Sequence, residues 1–181
     1  VLKIDPESDS VTTFSSLGNG GLKWHHGVVT ASGFIYGLPD CASAVLKIDP
    51  ASDTAVTFGD LGGEGHKWRS GLLLNGAIYG IPYDASAVLK IDPESDSVTT
   101  FSSLGNGGLK WHHGVVTASG FIYGLPDCAS AVLKIDPASD TAVTFGDLGG
   151  EGHKWRSGLL LNGAIYGIPY DASAVLKIDP E

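Results

Sequence analysis

The amino-acid sequence predicts an all-β fold of small four-stranded antiparallel sheets in a radial arrangement. Three observations carry this expectation. The hexapeptide VLKIDP recurs at Val1, Val45, Val88, Val132 and Val175, with spacings of 44, 43, 44 and 43 residues. Inside each unit the apolar residues follow the two-residue period of strands, with turn residues between short runs. No segment carries a capped helical period, which excludes the helical solenoids that share this repeat length.

Two unit types alternate. The first spans 1–44 and the second 45–87; residues 88–131 repeat the first without a change and 132–174 repeat the second. Val175 to Glu181 begins a fifth unit, so the domain reading is one assembly over 1–181. Identity over 87 residues, between halves whose own two units differ at many positions, suggests a duplicated or engineered double unit.

Within a unit the elements follow in order. Gly71–Asn75 is a short apolar run, Asn75-Gly76 is a strong two-residue hairpin signal, and Ala77–Ile81 returns. Pro82 to Ser86 break the pattern before Ala87–Asp92, where Val88, Lys90 and Asp92 alternate with Leu89 and Ile91. Pro93, Ser95 and Asp96 form a turn whose side chains bond their own backbone, and Val98–Phe101 is the fourth strand. The loop SSLGNGGLKW leads to the next unit, and 26 glycines fit this density of turns.

The tryptophan, the glycine-started apolar strand, G-x-I-Y-G-I-P, V-L-K-I-D-P and V-x-x-F-G together resemble the blade repeat of the β-propeller superfamily, kelch-like or related. The likeness covers essentially the whole chain, although the double glycine of kelch strands and the Gly-His and Trp-Asp pairs of WD40 blades are missing. It implies a β-propeller of four-stranded antiparallel blades, about four per chain. Gly27–Thr30, Gly71–Leu74, Gly114–Thr117 and Gly158–Leu161 would then be innermost strands. The exact duplication resembles a symmetrised propeller, an engineered or de novo tandem-repeat protein.

The chain starts at a third strand, so its two ends would share one blade and one VLKIDP copy would be surplus. Four blades crowd the axis, so the expected partner is a second chain, giving a symmetric eight-bladed homodimer; the rival is a compact four-bladed monomer. No methionine occurs, which implies residues before Val1.

Eleven basic and 20 acidic residues give a net charge of −9, which disfavours a nucleic-acid partner. No apolar stretch approaches a membrane span, and no secretion signal is recognisable. Cys41 and Cys128 occupy equivalent places 87 residues apart and are expected to be free thiols.

Polar candidates cluster before each inner strand. The residues expected to touch any ligand are Trp24, His25, His26, Trp68, Arg69, Trp111, His112, His113, Trp155 and Arg156. A tryptophan at a fixed place in each unit is expected to pack between neighbours, with an aromatic shelf for sugars or cations as the other reading. His25-His26 is a poor metal signal without converging ligands, and Asp-Pro-x-Ser-Asp lacks the glycine and glutamate of a calcium loop. Cys41 beside Asp40 has no convincing histidine within its own unit.

No nucleophile elbow, phosphate loop or zinc-protease motif occurs. The expectation is therefore a structural scaffold: not an enzyme, with no catalytic or metal residues and no cofactor. The alternative is a multivalent carbohydrate- or peptide-binding module using the Lys-Trp loops, where repetition raises avidity.

Overall fold

The computed structural model describes residues 1–63, 65–150 and 152–180. Glu181, the last residue of the expected fifth unit, lies outside the described residues. Seventeen strands and no helix occur among the described residues.

The chain opens with β1 (Leu2–Asp5) and β2 (Ser10–Thr13), which pair only with each other. Three four-stranded meanders follow. The first comprises β3 (Trp24–Val29), β4 (Ile35–Pro39), β5 (Val45–Asp49) and β6 (Thr54–Phe58). The second comprises β7 (Trp68–Leu74), β8 (Ala77–Pro82), β9 (Val88–Asp92) and β10 (Ser97–Phe101), and the third β11 (Trp111–Val116), β12 (Ile122–Pro126), β13 (Val132–Asp136) and β14 (Thr141–Phe145). A three-stranded sheet of β15 (Trp155–Leu161), β16 (Ala164–Pro169) and β17 (Leu176–Ile178) ends the chain.

This arrangement corrects the expected fold class. The repeated antiparallel sheets are present, but they are not closed into a propeller: the β1–β2 hairpin is bonded to no strand of the C-terminal sheet. The physical reason is that β17 already pairs with β16 and β1 with β2, so each VLKIDP copy has taken its own place. The symmetric eight-bladed homodimeric ring loses its premise as well, since the two ends of the chain do not share a sheet among the described residues.

Turn chemistry sets the hairpins. Asn75 and Gly76 both adopt positive φ, 52° and 82°, as a two-residue turn matched to strand twist requires. The first unit type uses a longer turn, in which the Thr30 hydroxyl donates to the Phe34 carbonyl at 3.2 Å. After β5, the Asp49 carboxylate accepts the Ala51 N–H at 2.9 Å and the Ser52 hydroxyl at 2.7 Å. The first carboxylate of Asp-Pro-x-Ser-Asp thus binds its own turn, and these hydrogen bonds hold Asp49 below the usual carboxylate range, whereas the last carboxylates, Asp53, Asp96 and Asp140, accept from Lys3, Lys47 and Lys90 of the preceding unit.

The core lies between successive sheets rather than within one. One cluster joins Tyr36, Leu38 and Val45 of the first meander to Trp68, Ile78 and Leu89 of the second. A second joins Tyr79 and Ile81 to Trp111, Ile122 and Leu133, and a third carries Leu125 and Val132 onto Trp155 and Ile165. Glycine permits a close approach of sheets: a Cβ on Gly114 would stand 2.5 Å from Leu72 Cδ1.

The strands β3, β7, β11 and β15 each begin with a bulge. Trp68 faces Pro82 and Ser70 faces Ile81, which leaves Arg69 as the extra residue; Arg156 is extra in the equivalent place. A bulge re-aims its side chain. Here it turns the arginine toward the preceding unit.

Candidate metal-ligating site

Sequential units are tied at one level by a repeated backbone bond. The Lys67 N–H donates to the Asp40 carbonyl at 3.1 Å, and Lys154 does the same to Asp127 at 3.0 Å. The loop after β4 is thereby held against the loop before β7, and Asp40-Cys41 meets His66.

His66 Nδ1 lies 3.0 and 3.1 Å from the two Asp40 oxygens and 3.8 Å from Cys41 Sγ. In the second copy His153 Nδ1 lies 3.1 and 3.2 Å from the Asp127 oxygens and 3.6 Å from Cys128 Sγ. In each cluster one oxygen, one nitrogen and one sulfur donor fall within 4.8 Å of one another. Asp40 and Asp127 are buried, while the cysteine and histidine remain partly open to solvent. Both cysteines are free.

The bulged arginines complete the carboxylate surroundings. Arg156 Nε donates to both Asp127 oxygens at 3.3 Å, whereas Arg69 Nε stays 3.7 Å from Asp40 and forms no hydrogen bond. Burial, with the Asp127 charge, pushes the Cys128 thiol up, and Lys154 and Arg156 oppose it. Tyr83 adds a hydroxyl that donates to Asp127 Oδ2 at 3.2 Å. Burial and the Asp127 charge raise this phenol to about 12.

The site is missed by sequence reasoning confined to one unit, because Asp-Cys occurs in one unit type and His-Lys-Trp-Arg in the other. Their alternation is the signal: the carboxylate and thiol always precede the histidine by one unit.

Of the expected ligand-contact residues, Trp68, Trp111 and Trp155 are buried, and their indole N–H groups donate at 2.9 Å to the carbonyls of Ala87, Ala131 and Ala174. Trp24, half-buried, bonds Ala44 likewise. His25 and His112 come together, with ring centroids 6.2 Å apart, and each donates through Nδ1 to a backbone carbonyl, that of Arg69 at 3.0 Å and that of Arg156 at 3.1 Å. Burial, with the nearby His26, holds the half-buried His113 below the ordinary histidine value, while His26 itself lies exposed on β3. Arg69 stacks on Tyr83 at 4.6 Å and Arg156 on Tyr170 at 4.3 Å.

No protein-family model matches the chain. No curated protein matches it in sequence. Solved structures do. The extracellular domain of a one-component system from B. thetaiotaomicron aligns with 98% of this chain and 26% of its own, at 15% identity and TM-score 0.70. A catalytically inactive virginiamycin B lyase from Staphylococcus aureus, solved with quinupristin, aligns with 99% of this chain and 63% of its own, at 13% identity and TM-score 0.69. An auxiliary nutrient binding protein from Bacteroides ovatus aligns with 99% and 50%, at 14% identity and TM-score 0.64. The chain therefore spans between a quarter and two thirds of these proteins, and at such identities the likeness concerns the fold alone.

These findings correct several expectations. The similar structures are the extracellular domain of a one-component system, a nutrient binding protein and a lyase rather than kelch repeats, and because the fold recurs in bacterial proteins, exact duplication does not establish an engineered origin. Two Asp-Cys-His clusters contradict an inert scaffold. They also remove the ground for excluding an enzyme, since three converging donors are what a catalytic metal needs from a protein.

Proposed function

We propose that the chain is a multivalent ligand-binding module built on two equivalent sites, Asp40–Cys41–His66 and Asp127–Cys128–His153, each able to hold a divalent cation of intermediate softness. The observation that carries this reading is the convergence of the same three donors at two places in one chain. Thiolate, imidazole and carboxylate together suit zinc-like ions, and three protein ligands leave a position for a ligand atom. The binding partner expected at the Lys-Trp loops, a carbohydrate or peptide, would meet that position, because His66 and Lys67 lie in the same loop.

Arg69 or Arg156 neutralises the carboxylate, and cation binding would displace the histidine from that carboxylate. A bound cation would also offset the burial that disfavours the Cys128 thiolate.

Cobalt(II) titration tests the reading. The expected result is a thiolate charge-transfer band saturating at two ions per chain, at one ion for Cys41→Ser or Cys128→Ser, and absent from the double variant. A titration without that band, or one indifferent to both cysteines, overturns it.

Self-association is the second expected partnership. It is favoured by the unequal ends of the chain: Ile168, Tyr170 and Val175 are exposed, while their internal counterparts Ile81, Tyr83 and Val88 are buried. Among the described residues no helix is long and apolar enough to cross a membrane.

A further inference from the structure

The strand pairing of the second unit with the third is repeated at the end of the chain, where β16 pairs with β17, but several side-chain contacts across the same junction have counterparts that the chain leaves unmade. Tyr83 and Tyr170 are the same residue of the same unit type, yet Tyr83 is 2% exposed and Tyr170 61%. Ile81 is 0% exposed and Ile168 47%. At the other end, Leu2 and Ile4 are both 61% exposed, whereas Leu89 and Ile91 of the identical segment are fully buried.

The unmade contacts match one another in register. Gly114 meets Ile81 and Leu72 of the preceding unit, but the nearest atom to a Cβ on Gly27 is 3.7 Å away and belongs to Gly27's own sheet. Asp84 accepts the Leu109 N–H at 2.7 Å, and the Lys110 ammonium donates to the Ala85 carbonyl at 2.8 Å. Leu22 and Lys23 are the same residues in the first unit, and among the described residues the Lys23 ammonium donates to its own loop, at Gly18. Asp127 has Tyr83; Asp40 is equally buried and has no tyrosine.

We infer that a second copy of this chain docks head to tail and that its Tyr170 completes the Asp40 site, donating to the Asp40 carboxylate as Tyr83 donates to Asp127. This rests on the self-association reading above and gives it a defined surface. Ile168 and Leu159 of the second copy would pack on Gly27, and its Asp171 would accept the Leu22 N–H. The occupant is another copy because the interior of the chain already shows what the surface accepts: the second unit type seated on the first. Burying Ile168 and Tyr170 supplies apolar area, and the Tyr170 hydroxyl supplies a hydrogen bond to a charged partner. The two Asp-Cys-His sites of one chain, unequal alone, would become equivalent.

Light scattering coupled to size exclusion on the full chain tests this, with four variants. The parent is expected at twice 18.7 kDa or a higher integral multiple. Ile168→Asp should reduce it to the mass of one chain. Gly27→Val, which has room within its own chain, should do the same. Tyr170→Phe keeps the ring and should raise the dissociation constant about tenfold or more, the size of a lost hydrogen bond to a carboxylate. Val143→Asp, at an exposed position outside the junction, should change nothing. A parent at one chain mass overturns self-association itself. An associated parent indifferent to Gly27→Val and Tyr170→Phe overturns the junction while leaving self-association intact.

Discussion

The hydroxyl of Tyr83 donates to the buried carboxylate of Asp127 across 44 residues of sequence, with the Arg69 guanidinium stacked 4.6 Å from the Tyr83 ring. One side chain thereby ties two units and fills one face of a site that also holds Cys128 and His153. Tyr83→Phe should cost about 1.5–3 kcal/mol, because it leaves a buried carboxylate short of a donor. Urea unfolding measures this. In a spectrophotometric titration the same variant should lose a tyrosine that ionises near pH 12.

The two copies of one glycine give a paired test. Gly114→Val drives a side chain into Leu72 and Ile81 and should destabilise the chain by about 1–3 kcal/mol or more. Gly27→Val, with identical neighbours in sequence, meets only Ile35 at 3.7 Å and should cost the isolated chain far less. Equal losses in the isolated chain would contradict the unequal surroundings.

Acid should weaken the fold through its inner histidines. Burial holds His112 and His113 below the ordinary histidine value, and the nearby His26 adds to the effect at His113. The unfolded chain therefore takes up these protons at higher pH than the folded one. Stability is complete above the ordinary histidine pKa and declines as pH falls from there through the lowered folded values. Denaturation midpoints between about pH 8 and pH 5 should show this decline, and His113→Gln should flatten it.

Trp111→Phe removes the donor to the Ala131 carbonyl and should cost roughly 1–3 kcal/mol. The half-buried Trp24 makes the same bond to Ala44, where water can replace it, so Trp24→Phe should cost less. Thermal unfolding of the two variants checks the order.

Much of the strand order was legible because its punctuation is local. Asn75-Gly76 marks a hairpin from two residues, and Pro93 to Asp96 carry their own turn chemistry. The start of β7 at Trp68, three residues before the run beginning at Gly71, was hidden by the bulge: a residue without a cross-strand partner breaks the alternation that reveals a strand. The site was illegible for a different reason. His66 stands 26 residues from Asp40 in another unit, and only the packing of one loop on the next makes them neighbours. Whether the ends join depends on which of two identical hexapeptides occupies a sheet, and identical sequences carry no preference.

That identity has a spectroscopic consequence. Residues 1–87 and 88–174 are chemically indistinguishable, so any difference between their nuclear magnetic resonance signals reports surroundings alone. Tyr83 and Tyr170 then act as built-in probes. Two hydroxyl environments mean a chain with two different ends, and merging into one means that the ends have found equivalent neighbours.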